Sequence, residues 1–125
     1  MALTLSVLPY KLAVCKLDPL ESIPDWLSTQ HAFFSITRTS EELSIVCDEA
    51  SVPATVEAVR DWRALKVEGP LDFSLTGILY SLAKILAEAK ISIFAVSTYD
   101  TDYILVQENK LAATIAALSV EHQIN

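Results

Sequence analysis

The fold is decided by Ile91–Glu108 in the C-terminal half of the chain, which has the sequence ISIFAVSTYDTDYILVQE. Two apolar segments rich in β-branched and aromatic residues flank a polar one, and this pattern predicts two strands joined by a hairpin turn. Tight hairpin turns favour Gly or Asn. The polar segment Ser97–Asp102 has neither, and instead carries four hydroxyl groups and two carboxylates. This segment is therefore a candidate both for a polar turn and for a binding site.

The residues before this hairpin predict a strand and a helix. A strand is predicted over 62–68, and Gly69-Pro70 ends it. Apolar residues then recur at spacings of three and four over 75–89, which is typical of an amphipathic helix. Asp72 and Ser74 are the candidates for its N-cap. After the hairpin, a second helix capped by Asn109 and a last strand complete the order β-α-β-β-α-β.

The N-terminal half repeats this pattern. Residues 33–46 align with residues 93–106 at a shift of 60 places, which brings Ile45 onto Leu105. A short helix around 24–30 and a second helix over 52–61 would complete the first unit. The sequence thus predicts two βαββαβ units, a degenerate one over 1–61 and a second over 62–125, with the strand 62–68 as a candidate for sharing between them.

Composition and charge argue against several classes of function. The chain has 125 residues, 52% of them hydrophobic, which is enough for the core of one or two small domains. A net charge of −7 would repel a phosphate backbone or an anionic membrane surface, so no nucleic-acid or membrane partner is expected. No apolar segment reaches the roughly 18 residues of a membrane span. No basic residue precedes Lys11, as it would in a signal peptide, and a cytoplasmic protein is expected.

Residues typical of metal or catalytic centres are few. Cys15 and Cys47 lie in apolar segments and are predicted to be buried free thiols. His31 is predicted to end the short first helix and His122 to lie in a flexible tail, and neither has a partner at metal-ligand spacing. No catalytic residue, metal or cofactor is predicted, and the chain is not expected to be an enzyme.

Two segments of the C-terminal half resemble the ACT domain. They are Val67–Gly77, VEGPLDFSLTG, and Ala89–Val106, AKISIFAVSTYDTDYILV. The resemblance covers residues 62–120, and more narrowly it is to the branch that contains the CASTOR arginine sensors and small bacterial proteins of two ACT units. It implies an α+β fold of two ferredoxin-like units with antiparallel sheets and the helices on one face. Many members carry Gly where this chain has Lys90, which would pay a small cost at a positive φ.

The resemblance also implies a regulatory domain that binds a small molecule, usually an amino acid, at an interface between ACT units. In such sites the loop after the first strand faces a strand end of the neighbouring unit. The expected ligand-binding residues are therefore, in the loop, Asp72, Phe73, Ser74, Leu75, Thr76 and Gly77, and in the hairpin turn, Thr98, Tyr99 and Asp100.

These residues have the chemistry that a zwitterion requires. Backbone N–H groups at the start of the helix can bind a carboxylate, and Asp100 or Asp102 can bind an ammonium group or a basic side chain. Ordinary structural roles compete with each assignment, because Asp72 and Ser74 are common helix caps, Gly77 can serve helix packing, and turn carboxylates are usually solvated.

The first repeat provides a contrast. At a shift of 60 places Ser40 corresponds to Asp100 and Arg38 to Thr98, so the first repeat is expected to have kept the fold and lost the site.

The sequence therefore predicts a small-molecule sensor or regulatory protein, with an unknown regulated protein as a further partner. The free edges of the two sheets predict a homodimer. The alternative is a structural or partner-docking module without a ligand, in which the polar turn only solubilises a sheet edge.

Overall fold

The structure is a computed structural model that describes residues 2–27, 32–69 and 77–125. The helices and strands in these ranges are β1 Thr4–Val7, β2 Leu12–Leu17, β3 Ser35–Arg38, β4 Leu43–Asp48, β5 Ala58–Val67, α1 Ile78–Glu88, β6 Phe94–Ser97, β7 Asp102–Gln107, α2 Leu111–Leu118 and β8 Gln123–Ile124. Short 3-10 segments, Glu49–Ser51 and Glu108–Lys110, follow β4 and β7.

The chain divides into two compact units, a C-terminal unit of residues 1–9 and 63–125 and an N-terminal unit of residues 10–62. The junction lies inside β5, whose first part pairs with β2 and whose last part pairs with β1. The predicted domains, 1–61 and 62–125, remain a proposal. The compact units differ from them by placing the first nine residues with the C-terminal half.

The C-terminal unit has the predicted order of elements, β5-α1-β6-β7-α2-β8, and its α+β, ferredoxin-like fold is confirmed. Its strands lie in the order β6-β7-β5-β1-β8. The strand β1, which was not predicted, lies antiparallel to β5 and parallel to β8. The sequence carries a signal for it, because Leu3, Leu5 and Val7 alternate with polar residues as in a half-buried strand.

Both helices of the C-terminal unit pack on one face of its sheet. Large aliphatic side chains of three strands and both helices point into this core and are excluded from solvent. Burial of each such side chain stabilises the fold by about 1.5–3 kcal/mol relative to exposure. The fully buried members of this core are Leu5, Leu65, Val67, Leu82, Leu86, Ile104, Val106 and Leu118.

The first helix confirms the predicted periodicity but is shorter at its start. It begins at Ile78, and its N-cap residue is Gly77, with φ of 77° and no side-chain cap bond. Asp72 and Ser74, the predicted caps, lie outside the described residues. The predicted cap of the second helix is wrong, because Asn109 lies within the 3-10 segment and Lys110 is the N-cap of α2.

The end of α1 confirms that Lys90 occupies a position that favours glycine. Its N–H donates to the carbonyl oxygen of Ala87 over 2.9 Å, and the N–H of Ile91 donates to that of Leu86 over 2.9 Å. This pair of bonds is a Schellman motif, which requires a left-handed residue after the helix. Lys90 adopts that conformation, with φ of 61°, where glycine would carry no steric cost.

The N-terminal unit repeats the strand arrangement. Its strands lie in the order β3-β4-β2-β5 and every neighbouring pair is antiparallel. Its core contains Cys15 and Cys47, both buried free thiols as predicted. The hydrogen bond between the two sulfur atoms, together with burial, raises the pKa of Cys47.

Two helix predictions for the N-terminal unit do not hold in its described residues, 10–27 and 32–62, which contain no α-helix. The helix over 52–61 is wrong, because Ala58–Asp61 belongs to β5 and takes its hydrogen bonds from the pairing with β2. Asp61 adopts a positive φ of 65° there, its N–H donating to Glu49 and its carboxylate accepting from Lys11. The other predicted helix, 24–30, is a turn at residues 25–26, and residues 28–31, including His31, lie outside the described residues.

The prediction of a flexible tail around His122 is wrong. The side chain is only 7% exposed, and its Nδ1 accepts a hydrogen bond of 3.0 Å from the N–H of Leu3. The N–H groups of Gln123 and Asn125 donate to the carbonyl oxygens of Leu3, just before β1, and Leu5, within it, and hold the end of the chain in the sheet. The last residues therefore depend on β1, a strand that lies more than 100 residues earlier in the sequence.

The two hairpins align at a shift of 59 places rather than the predicted 60. Ile36 pairs with Ile45, and Ala95 pairs with Ile104 in the second hairpin. Because strand side chains alternate between faces, an error of one place moves every residue to the opposite face. The corrected shift changes which residues of the two halves correspond.

Candidate functional site

The predicted turn residues form a hairpin turn of four residues, Thr98–Thr101. The N–H of Thr98 donates to the carbonyl oxygen of Thr101 over 2.8 Å. The Thr98 hydroxyl donates to the same oxygen over 3.1 Å and accepts the N–H of Thr101 over 3.3 Å. Thr98 therefore closes the turn with its own side chain, which explains how the hairpin forms without glycine.

A buried contact fixes this turn beside the end of β5. The hydroxyl of Thr101, which is 6% exposed, donates to the carbonyl oxygen of Val67 over 2.6 Å. Val67 is the last residue of β5, and the predicted ligand-binding loop begins directly after it. The structure thus brings the turn to the start of that loop.

The strands leave this turn through a polar pair, Ser97 and Asp102, which are direct cross-strand partners. The Ser97 hydroxyl donates to Oδ1 of Asp102. By alternation Asp102 shares a face of the sheet with Ile104 and Val106, which pack against α1. The Asp102 carboxylate therefore lies on the same face of the sheet as these core residues, at intermediate exposure and beside the exposed Ser97.

The sequence prediction placed Asp100, and not Asp102, among the expected ligand-binding residues. The signal for Asp102 was present, since it stands two and four places before the apolar residues Ile104 and Val106. Asp100 and Tyr99 lie at the exposed tip of the turn, and Tyr99 is 81% exposed. The two carboxylates thus occupy different environments.

The other expected residues have separate outcomes. Those at 72–76, namely Asp72, Phe73, Ser74, Leu75 and Thr76, lie outside the described residues. Gly77 is described, and its positive φ of 77° gives it a backbone reason to be glycine. A Cβ built at Gly77 would meet no atom within 4 Å, so close packing against a helix is not its role.

The N-terminal hairpin has the same turn. Thr39, at the place of Thr98, donates its N–H to the carbonyl oxygen of Glu42 over 2.9 Å, and its hydroxyl accepts the N–H of Glu42 over 3.1 Å. At the corrected shift Glu41 corresponds to Asp100, so the expected equivalence of Ser40 with Asp100 is wrong, and so is that of Arg38 with Thr98. The threonine and the acidic tip are therefore features of both hairpins.

What differs is the pair of residues at the base of each turn. Arg38 and Leu43 are cross-strand partners in the N-terminal hairpin, where the C-terminal hairpin has Ser97 and Asp102. Arg38 donates from Nη1 to the carbonyl oxygen of Pro19 and from Nη2, over 2.7 Å, to that of Glu21. One unit thus places a cation at this position and the other an anion.

A separate groove of about 450 Å³ lies between the solvent-facing sides of the two helices. It contains none of the expected ligand-binding residues. Tyr80 and Val120 are 68% and 83% exposed in it. Its lining is Tyr80, Ser81, Lys84, Ile85, Glu88, Ala117, Val120 and Glu121.

Within residues 2–27, 32–69 and 77–125, no three His, Cys, Asp or Glu side chains come together as a metal site would require. In the same ranges no helix has the length and apolar character needed to cross a membrane.

Comparison with known proteins identifies relatives of both halves. The ACT domain family model matches residues 57–120, and a second model, of an N-terminal domain, matches residues 10–55. The chain is 38% identical over 109 residues to the human putative protein CASTOR3P, covering 77% of this chain and 67% of that protein. It is 34% identical over 103 residues to the bovine cytosolic arginine sensor for mTORC1 subunit 1, covering 74% of this chain. The match covers 31% of the sensor, so the chain spans about a third of that relative's length.

Solved structures show the same likeness. A protein from Agrobacterium tumefaciens superposes with a TM-score of 0.93 at 36% identity, covering 100% of this chain and 93% of that one. The regulatory subunit of aspartate kinase from Thermus thermophilus superposes with a TM-score of 0.66, covering 97% of this chain and 99% of that one. Its identity is 10%, so this second likeness concerns the fold alone.

Proposed function

The chain belongs to the ACT domain family, and from this membership we propose that it is a regulatory protein that binds a small molecule, most simply an amino acid. The ligand would bind where the turn Thr98–Thr101 lies beside the end of β5. The observation that carries this proposal is the Ser97–Asp102 pair, whose carboxylate lies at the end of the strands on the same face as the core residues Ile104 and Val106. A solvent-facing turn alone would not require a carboxylate on that face.

The proposed roles follow from charge and position. Asp102 would accept hydrogen bonds from the ammonium group or a basic side chain of the ligand, a charge-assisted interaction. Thr98, Tyr99 and Asp100 would form the rim of the site at the tip of the turn. The loop residues at 72–77 would bind the ligand carboxylate through backbone N–H groups, as the resemblance implies.

A cationic amino acid is the first ligand to test. An anionic site in a protein of net charge −7 favours a ligand with a net positive charge. The bovine relative is named an arginine sensor, which supports arginine as a candidate here. The proposal extends to a homodimer, in which an ACT unit of a second copy covers the ligand, and to a regulatory rather than a catalytic role in the cytoplasm.

Thermal unfolding with a panel of amino acids tests this function. We expect L-arginine or another cationic amino acid at millimolar concentration to raise the unfolding midpoint of the wild-type chain, because a ligand that binds only the folded state stabilises it. Asp102→Asn should weaken ligand binding at least tenfold, because the loss of one charged hydrogen bond costs about 1.4 kcal/mol of binding free energy. The matched control is Glu41→Gln, which changes the net charge equally at the exposed tip of the other hairpin.

The outcome that contradicts the proposal is an unfolding midpoint that no amino acid raises. An equal response in wild type and Asp102→Asn would instead remove Asp102 from the site.

The docking alternative is favoured by one observation, the groove between the helices with its exposed Tyr80 and Val120. A partner bound there would be sensitive to Tyr80→Ser and indifferent to Asp102→Asn. Pull-down of the partner with these two variants, followed by a binding titration, separates the two functions.

A further inference from the structure

The Arg38 side chain of the N-terminal unit makes hydrogen bonds of the kind that a bound guanidinium ligand would make. Its two terminal nitrogens donate to the carbonyl oxygens of Pro19 and Glu21. A guanidinium group offers several donors in one plane and therefore suits two neighbouring acceptors at once. The side chain is exposed, so a small molecule could reach the same two oxygens if Arg38 were shortened.

The acceptors do not depend on Arg38 for their arrangement. The Asp18 carboxylate accepts the N–H of Leu20 over 2.9 Å, and the Asp18 carbonyl oxygen accepts the N–H of Glu21 over 3.1 Å. These local bonds hold the turn that presents the carbonyl oxygens of Pro19 and Glu21. Removal of the Arg38 side chain would thus leave a preformed pair of acceptors.

The register of the hairpins places Arg38 at a backbone position that, in the C-terminal unit, belongs to the proposed ligand site. Arg38 corresponds to Ser97, and Leu43 corresponds to Asp102. Leu43 pairs with Leu17 at the end of β2, the first strand of the N-terminal unit. In the C-terminal unit the turn beside Ser97 is likewise bonded to the end of β5, at Val67.

We propose that Arg38 is a built-in occupant of the N-terminal unit, whose guanidinium takes the place that a free cationic ligand takes in the C-terminal unit. This inference rests on the proposed function where it concerns the ligand of the C-terminal unit. The N-terminal unit needs no ligand because its own side chain bonds the loop at 18–21. Each chain accordingly binds one ligand molecule, and the site that sequence reasoning described as lost is filled from within.

The test is chemical rescue of Arg38→Ser, which copies the residue of the C-terminal hairpin. The unfolding midpoint of the variant should lie about 3 °C below that of wild type, because the two lost hydrogen bonds are weak and a chain of this size shows such a loss as a shift of a few degrees. Methylguanidine at about 10 mM should restore at least half of that loss, because it binds only the folded variant. Methylammonium, a cation without the planar pair of donors, should restore less, and methylguanidine should raise the midpoint of Arg38→Ser more than that of wild type, in which only the C-terminal site is open to it.

The matched control is Arg60→Ser. It removes an equal charge from the same unit, but Arg60 donates to a single carbonyl oxygen, that of Pro53, over 3.0 Å. One acceptor does not orient a free guanidinium, so methylguanidine should not restore this variant.

Three results would overturn the inference: an unchanged midpoint in Arg38→Ser, a loss that methylguanidine leaves unrepaired, or equal repair in Arg60→Ser. The rescue is measured in the N-terminal unit and should persist in an Arg38→Ser, Asp102→Asn double variant. Failure of the proposed function would appear separately, as a wild-type chain that no amino acid stabilises.

Discussion

The hairpins β3–β4 and β6–β7 have the same turn and opposite charges at its base. Thr39 and Thr98 close the two turns with equivalent bonds, and an acidic residue, Glu41 or Asp100, lies at each tip. The base of the first carries the cation Arg38, which is bonded within its own unit. The base of the second carries the anion Asp102, which accepts a hydrogen bond from the hydroxyl of Ser97.

This difference separates what the fold requires from what a ligand would require. Features present in both hairpins, the threonine and the acidic tip, are explained by the turn. A feature that is present in just one hairpin needs a separate explanation, and Asp102 is such a feature. The comparison also distinguishes the units by their helices, since both α-helices of the described residues belong to the C-terminal unit.

The largest effects are expected in the two cores. Ile45→Ala and Ile104→Ala change equivalent residues that are both fully buried, and each should lower the free energy of unfolding by about 3 kcal/mol through lost burial and a cavity. Urea unfolding measures both, with the exposed Val120→Ala as the control, expected within about 0.5 kcal/mol of wild type. A loss below about 1 kcal/mol at either isoleucine would contradict the alignment of the cores.

A smaller effect should distinguish the two turns. Thr101→Val removes the hydroxyl that satisfies the carbonyl oxygen of Val67 and should cost about 1–3 kcal/mol, because that oxygen would be buried without a donor. The corresponding residue of the first hairpin is Glu42, which makes no such bond among the described contacts. Urea unfolding with Thr37→Val, an exposed strand residue, as the control should show the cost only for Thr101.

Replacement of Lys90 should stabilise the unit that contains the helices. Lys90→Gly relieves the left-handed conformation after α1 and should raise the free energy of unfolding by about 0.5–1 kcal/mol. Ala89→Gly, one place earlier at a negative φ, should lower it. A destabilised Lys90→Gly chain in thermal or urea unfolding would show that contacts of the lysine outweigh the backbone strain.

The smallest change in stability should accompany a change in binding. Ser97→Arg gives the second hairpin the cation of the first, and a guanidinium beside Asp102 should leave the free energy of unfolding within about 0.5 kcal/mol of wild type. It should also abolish stabilisation by L-arginine, because the carboxylate is then paired within the chain. Thermal unfolding with and without L-arginine measures both quantities, and an undiminished response would contradict the assignment of this position to the ligand.

Periodicity and composition were enough to predict most of the C-terminal unit. The three-and-four spacing of apolar residues located α1, and β-branched segments located β6 and β7. They failed at 52–61, where apolar spacing compatible with a helix is overridden by pairing of β5 with β2. They also missed β1, since its partners lie some sixty or more residues away in sequence.

The site was predicted less completely for a related reason. An alignment in error by one place still superposes apolar residues on apolar residues, as Ile45 on Leu105, because both faces of these strands are partly buried. Only the pairing within each hairpin fixes which face a residue occupies, and that pairing revealed Asp102 and Arg38 as counterparts of Leu43 and Ser97.

In our proposal the base of the second hairpin binds a ligand, while the base of the first is filled by Arg38. The most direct measurement is a titration of the isotopically labelled chain with L-arginine, followed through the backbone amide signals by NMR. We expect saturable shifts at residues 97–102 and unchanged signals at residues 38–43. Equal shifts at both hairpins, or no shift at residues 97–102 with any amino acid, would contradict it.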